Sequence, residues 1–182
     1  TLNNLFKNIF KDQIIKDINL SSTNSFTFDI SKKFKVNNFN LESKVDLNNL
    51  LYKKKLNNLN KFLPNFKDNL KLEDHKIFIK YKKNQLNIKG KGQISIEDKI
   101  DYFNYEINKK NNNYNFKTAF DIHNNSISLD ALGYNKEKDL NSKLILEGSF
   151  DKDKEIKFDN ISLIDEKNNS FKIQYLTLDN KF

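Results

Sequence analysis

The chain has 182 residues, enough for one domain with its own core, and 37% of them are hydrophobic. It contains no Cys, Met, Trp or Arg, so all 32 basic residues are Lys, and the formal net charge is +8. Without Arg, bidentate recognition of guanine or phosphate is excluded, and Lys alternates with Asp and Glu along most segments. We therefore expect a solvated, mildly basic surface without a nucleic-acid partner, while weak attraction to anionic headgroups stays open.

The N-terminal part of the chain shows the spacing of an amphipathic helix. Large apolar residues recur every three or four positions over residues 2–18, which predicts a helix within residues 1–20. Alternation then predicts the first strands over 26–48. Residues 50–66 are irregular, and they predict a short helical connection that Pro64 would end.

From residue 70 to residue 182 the pattern is almost entirely that of strands. Short alternating segments are separated by polar turns, and no interval is long enough for a helical crossover between parallel strands. The predicted strands lie near 70–82, 86–97, 100–108, 114–122, 127–134, 140–150, 156–164 and 171–178. The fold class is thus mainly β: a single domain, 1–182, built on a long curved antiparallel meander that forms an open groove, with an N-terminal helix and a short helical connection.

Two segments, 34–43 and 156–165, share an interrupted alternation. In the second, Ile156 and Phe158 alternate, two polar residues follow, and Ile161 resumes the apolar pattern one position out of phase. A slip of one residue is the sequence pattern of a β-bulge. Glycines within strands, at positions 90, 92, 133 and 148, likewise predict bends or bulges.

No residue pattern indicates catalysis or metal binding. The two histidines, His75 and His123, have no partner at metal-ligand spacing, and no nucleophile, phosphate-loop or calcium-loop motif occurs. The sequence GKG at 90–92 lies inside a predicted strand and lacks the helix that follows a phosphate loop. We therefore expect a protein that is not an enzyme, with no catalytic residue, no metal site and no cofactor.

The sequence contains no run of 18 apolar residues that could cross a bilayer as a helix, and no signal peptide is visible. It begins with TLNNLF rather than Met. We expect it to be a segment of a longer protein whose membrane anchor lies elsewhere.

Two long stretches resemble the AsmA-like superfamily of bacterial envelope proteins. They are IFIKYKKNQLNIKGKGQISIEDKIDYFNYEI (77–107), with its Gly-x-Gly strand, and LILEGSFDKDKEIKFDNISLIDEKNNSFKIQYLTLD (144–179). Their order of strand, Gly-containing strand, polar turn and interrupted strand is similar to the central region of the YhdP type, to which the TamB type is related. The similarity runs from about residue 70 to residue 182.

The resemblance implies a taco-shaped, repeating β-groove in the periplasm. Its apolar concave face would shelter phospholipid acyl chains between the inner and outer membranes, without catalytic residues. The full-length protein would be anchored to the inner membrane, with envelope membrane proteins as further partners. By alternation, we expect the groove to be lined by Ile77, Ile79, Tyr81, Leu86, Ile88, Ile94, Ile96, Phe116, Phe120, Leu144 and Leu146.

A second interpretation stays open. The apolar stripes could instead face each other in the dry core of a β-sandwich, a structural or adhesion module that binds protein or glycan through its Asn- and Lys-rich turns. A charge placed on the apolar face discriminates between the two. It would displace lipid from an open groove, but it would unfold a sandwich because the charge would be buried without a partner.

Overall fold

The computed structural model describes residues 14–53, 69–83, 85–96, 99–129, 133–151 and 155–178. Within these ranges the chain forms eleven strands and no helix. The strands are β1 (Ile14–Ile30), β2 (Val36–Lys53), β3 (Asn69–Lys82), β4 (Gln85–Ser95), β5 (Ile100–Lys110), β6 (Asn113–Ile122), β7 (Ile127–Leu129), β8 (Tyr134–Lys136), β9 (Ser142–Asp151), β10 (Ile156–Asp165) and β11 (Ser170–Leu178).

Nine of these strands form one antiparallel sheet, in the order β1-β2-β3-β4-β5-β6-β9-β10-β11. Strands that follow one another in the chain therefore pair, except where the separate two-stranded hairpin β7–β8 is inserted between β6 and β9. Strands β1 and β11 stand at opposite ends of this order, so the sheet is not closed. The prediction of a mainly β protein built as an open antiparallel meander is confirmed.

The predicted helices are not found in the described ranges. Residues 14–18 of the predicted N-terminal helix belong to β1, and residues 50–53 of the predicted connection belong to β2. These two segments pair with each other, for example Ile15 with Tyr52, and the ladder satisfies their backbone groups in the extended state. The helical prediction is wrong there because a short apolar run cannot distinguish a helix from a strand by its spacing. Residues 2–13 and 54–66 lie outside the described residues.

Both predicted register slips are present. The register between β9 and β10 shifts between Phe158 and Asn160. The register between β1 and β2 shifts between Thr27 and Asp29, opposite Asn38, whose φ is 50°. Another slip, between β3 and β4, lies between Glu73 and Lys76 and was not predicted. The predicted strand 127–134 is instead two strands, β7 and β8, which pair as a hairpin, and Gly133 before β8 has a φ of 61°.

The glycines inside the strands allow close approach of neighbouring groups. Gly90 and Gly92 pair regularly with β5, and the slip lies in β3 beside them, so they do not form a bulge in their own strand. A Cβ at Gly92 would lie 2.5 Å from the His75 ring, and one at Gly90 would collide with the Tyr105 ring. Glycine therefore lets these rings lie flat on the sheet. Gly148 does lie beside a slip, where a Cβ would collide with a backbone carbonyl of β10.

Candidate apolar ligand-binding face

Predominantly apolar side chains form rows across one face of the sheet, because directly paired residues of neighbouring strands point to the same side. We call this surface the apolar face and define it by four rows. The two central rows are Ser43, Ile79, Ile88, Ile107, Phe116, Gly148, Phe158, Leu176 and Val45, Ile77, Gly90, Tyr105, Thr118, Leu146, Ile161, Ile173. On β1 these two rows end in the polar residues Asn24 and Ser22. The two flanking rows are Phe26, Leu41, Tyr81, Leu86, Lys109, Tyr114, Phe150, Ile156 and Leu20, Leu47, His75, Gly92, Phe103, Phe120, Leu144, Leu163, Phe171.

The structure brings most of the predicted groove residues together on this face. Ile94 lies two positions beyond Gly92 in β4 and so points to the same side. Ile96 follows the last residue of β4, Ser95, and stands outside the ladder. The predicted residues found in the four rows are Ile77, Ile79, Tyr81, Leu86, Ile88, Phe116, Phe120, Leu144 and Leu146.

The sequence prediction omitted the residues of β5, which lie in the middle of the apolar face. Phe103, Tyr105 and Ile107 alternate with polar residues, so the signal was present in the sequence. The ring of Phe103 lies 5.2 Å from those of Tyr105 and Phe120, centroid to centroid, and 5.0 Å from that of His75. Such ring pairs add about 0.5–1.5 kcal/mol each beyond the area they bury. The centre of the face is therefore a packed layer of rings.

One corner of the apolar face is covered by the β7–β8 hairpin. Ile127 of the hairpin is buried together with Ile122 and Leu163 of the sheet, and Leu163 is only 1% exposed. Partly buried residues complete this cluster: Phe120, Leu129, Tyr134, Leu144 and Phe171. The hairpin thus supplies a local second layer over β6, β9, β10 and β11.

The opposite end of the apolar face, at β1 and β2, is open. Phe26 is 60% exposed, Phe28 42% and Phe39 40%. Their rings form a chain, with centroids 6.1 Å apart between Phe26 and Phe28, 6.5 Å between Phe26 and Phe39, and 6.1 Å between Phe39 and Tyr81. We call these four residues the aromatic run. It leads from solvent directly into the rows of the apolar face.

A cluster of polar groups holds the chain connection beside the hairpin. The buried carboxylate of Asp101 accepts hydrogen bonds from the backbone N–H groups of His123 and Asn124, at 2.8 and 2.9 Å, and from the side-chain amide of Asn125 at 2.6 Å. The fully buried Lys136 ammonium donates to three backbone carbonyls at 2.6–3.0 Å. Burial lowers the pKa of Lys136. All three ammonium protons have acceptors, so Lys136 of β8 holds the connection between β6 and β7 at His123 and Asn125.

The other face of the sheet carries lysines paired with carboxylates on neighbouring strands. These pairs are Lys80–Glu42 at 2.7 Å, Lys76–Asp46 at 2.6 Å, Lys89–Glu106 at 3.2 Å, Lys143–Asp121 at 3.8 Å, and Lys117–Glu147. A shallow depression of about 670 Å³ lies on this face, between lysines of β2, β3, β4 and β6. Exposed pairs of this kind contribute little to stability, and the alternating signs prevent a strong field of one sign.

Within the described ranges, no group of three or more His, Asp or Glu side chains is arranged to hold a metal ion. The same residues include no helix of the length and apolarity needed to cross a membrane. Comparison with family models, with curated proteins and with solved structures found no match to this chain.

Proposed function

We propose that the chain is a non-enzymatic, lipid-binding segment whose apolar face shelters the acyl chains of phospholipids. The observation that carries this proposal is the exposure of the aromatic run, where Phe26 remains 60% in solvent although it continues a row of the sheet. A contiguous apolar surface left open on a folded domain is typical of a site for a ligand or partner. Acyl chains suit such a surface because they bind by burying apolar surface area and do not require hydrogen bonds.

The dimensions and margins of the apolar face suit an amphiphile. Nine strands span eight intervals of about 4.8 Å, or about 38 Å across the sheet. Apolar contact contributes about 25 cal/mol per Å² of surface removed from water. At one margin the ammonium of Lys109 stands 5.2 Å from the centre of the Tyr114 ring, a position from which a cation can meet an anionic headgroup.

We further propose the setting that the AsmA-like resemblance implies. The segment would belong to a bridge for phospholipid between the inner and outer membranes, in the periplasm, with its inner-membrane anchor in another part of the full-length protein. Envelope membrane proteins would be its other partners. The resemblance implies an open groove built from a long meander, and the open antiparallel order of the nine strands supports the proposal.

The direct test is native mass spectrometry of the chain purified without detergent from a bacterium with two membranes, followed by lipid extraction. We expect added masses that correspond to phospholipid and that disappear after a detergent wash. A protein that stays free of lipid through gentle purification would contradict the proposal.

Charge substitutions on the apolar face locate the bound lipid. Phe26→Asp changes a residue that is already largely exposed, so the fold should tolerate it. We expect it to reduce retained phospholipid about tenfold, equivalent to about 1.4 kcal/mol of lost apolar contact. Ile88→Asp, in the middle of the face, should remove the lipid and leave a β-rich circular dichroism spectrum.

The matched control is Thr23→Asp, which places the same charge on β1 but opposite Lys44, on the lysine side of the sheet. It should retain lipid as the unmodified chain does. Full lipid retention in Phe26→Asp and Ile88→Asp would show that these residues do not line the binding surface. If the unmodified chain carries no lipid and Ile88→Asp unfolds it, the result would instead favour the adhesion or structural module.

A further inference from the structure

The middle of the outer edge of β1, from Ile18 to Phe28, lacks the charges and prolines that usually prevent edge strands from pairing with other chains. It has no neighbour on that side among the described residues. Exposed edge strands are usually short, or carry charges, Pro or bulges. Between Ile18 and Phe28, β1 contains no charged residue, no Pro and no Gly, and its pairing with β2 is regular from Leu20 to Thr27. This stretch presents its outward backbone groups in the geometry that another strand requires.

The other edge of the sheet, β11, is protected. It has 9 residues, whereas β1 has 17. It carries Lys172, and its backbone departs from the extended conformation at Tyr175, whose φ is 59°. The two edges therefore differ, because the uncharged stretch of β1 from Ile18 to Phe28 is longer than the whole of β11.

We propose that β1 pairs in antiparallel fashion with β1 of a second copy of this chain. The sequence around Thr23 suits pairing with itself, because the two large apolar residues Leu20 and Phe26 lie at equal distances, three positions before and after Thr23. Pairing of two identical strands about a two-fold axis at Thr23 sets Leu20 of each copy opposite Phe26 of the other, and both residues lie on the apolar face. Leu20 and Phe26 are 52% and 60% exposed in the single chain.

The ends of β1 limit the paired segment and so define its register. Asp17 and Asp29 lie six positions from Thr23 on either side, and this register sets them opposite each other. Like charges in directly opposed positions are unfavourable, so we expect pairing over the regular stretch between them. The result is one continuous sheet in which the apolar faces of the two copies join. This association does not depend on lipid binding.

Cysteine cross-linking tests the two-fold axis directly, because the chain has no cysteine of its own. Under mild oxidation, Thr23→Cys should form a disulfide-linked dimer, since the two thiols lie opposite each other at the axis. The matched control is Thr177→Cys on β11, also an exposed threonine of an edge strand, which should stay monomeric. In sedimentation, the unmodified chain should have twice the monomer mass of 21.6 kDa, and this dimer should dissociate into monomers on dilution.

A double substitution tests the pairing without cross-linking. Ser21 and Ser25 face Asp46 and Glu42 of β2, so Ser21→Lys with Ser25→Lys adds charges that the chain's own sheet can accommodate. Across the proposed axis, however, position 21 of one copy opposes position 25 of the other, and the two new ammonium groups repel. We expect this variant to be a monomer with an unchanged circular dichroism spectrum, and Gln174→Lys on β11 to remain a dimer.

Three results would overturn the proposal. The first is a monomeric unmodified chain throughout the dilution series, and the second is cross-linking of Thr177→Cys as readily as Thr23→Cys. The third is a Ser21→Lys, Ser25→Lys variant that folds and still dimerises. Loss of lipid in Ile88→Asp with dimerisation intact would leave this proposal standing, because Ile88 lies in β4, away from the paired edge. Failure of this proposal and failure of lipid binding are therefore distinguishable.

Discussion

His75 shows how a single polar side chain is accommodated in an apolar layer. The slip in β3, where Asp74 has a φ of 51°, turns the imidazole onto the face, and Gly92 leaves room beneath it. The ring is fully buried against Phe103. Nε2 lies 2.9 Å from the carbonyl oxygen of Gln93, which can only accept, so Nε2 carries the proton. Burial lowers the pKa of His75 below its ordinary value of 6.5.

This lowered pKa predicts a loss of stability in mild acid. The unfolded chain takes up a proton at His75 near pH 6.5, whereas the folded chain resists protonation until a lower pH. The unfolded state therefore binds more protons in that window, and the free energy of unfolding falls as the pH decreases below about 6.5. Urea denaturation of the unmodified chain between pH 7.5 and 5, a range that brackets the ordinary histidine pKa, measures this effect.

The variant His75→Phe should lose this part of the pH dependence, because its ring cannot titrate. His123→Gln is the control, since the side chain of His123 is exposed. An unmodified chain whose stability is constant over this range, or a His75→Phe variant with the same pH profile, would contradict a neutral, buried His75.

Among the elements, the short hairpin β7–β8 buries part of the sheet although each of its strands has only three residues. It places Ile127 over Ile122 and Leu163, and it adds a second layer and a small core at one corner of the sheet. The polar cluster around Asp101 and Lys136 holds it there. The open aromatic run and the covered corner therefore lie at two ends of the same face. The β7–β8 hairpin packs on the corner, whereas the aromatic run is left exposed.

Leu163 and Ile164 are neighbours in β10 that test this difference. Leu163 is 1% exposed beneath the hairpin and Ile164 is 54% exposed on the other face. Leu163→Ala should lower the free energy of unfolding by about 3 kcal/mol, because it leaves a cavity in the only buried corner that the described residues form with the hairpin. Ile164→Ala should change it by no more than about 0.5 kcal/mol. Equal effects in urea denaturation would show that the hairpin does not cover Leu163.

At the scale of the whole molecule, the sheet is organised from its centre outward. Strand β5 is the middle of the nine, with four strands on each side, while β1 and β11 have one neighbour each. Cross-strand charge pairs such as Lys76–Asp46 and Lys89–Glu106 lie on the face opposite the apolar rows. Stability should therefore be distributed unevenly, since edge strands can open without disturbing the centre.

Hydrogen exchange measures that distribution. In the Ser21→Lys, Ser25→Lys variant, which should be monomeric, amides of β5 should exchange at least about tenfold more slowly than the outward amides of β1, a difference of about 1.4 kcal/mol in opening free energy. Protection of β1 equal to that of β5 in this monomer would indicate that another segment covers the β1 edge.

Much of the sheet could be predicted from the sequence, because alternation is a local signal. The predicted strands 70–82, 100–108 and 156–164 differ from the observed ones by no more than two residues at either end. The slip at 156–165 was also visible, since two polar residues interrupt an alternating run. Which residues share a face with Ile88 follows from the same period of two.

Other features depend on contacts between residues that are distant in the chain. Residues 14–18 have helical spacing, and only pairing with the end of β2 makes them a strand. His75 becomes an apolar-face residue because a neighbouring strand offers Gly92 at that register. Likewise, nothing local distinguishes the covered Leu163 from the exposed Phe26, since both lie in alternating strands. Alternation by itself determined most of the strands, their faces and the slip at 156–165. The start of β1, the slip beside His75 and the burial of each apolar residue were decided by the tertiary structure, because they depend on which distant segment pairs with or packs against that residue.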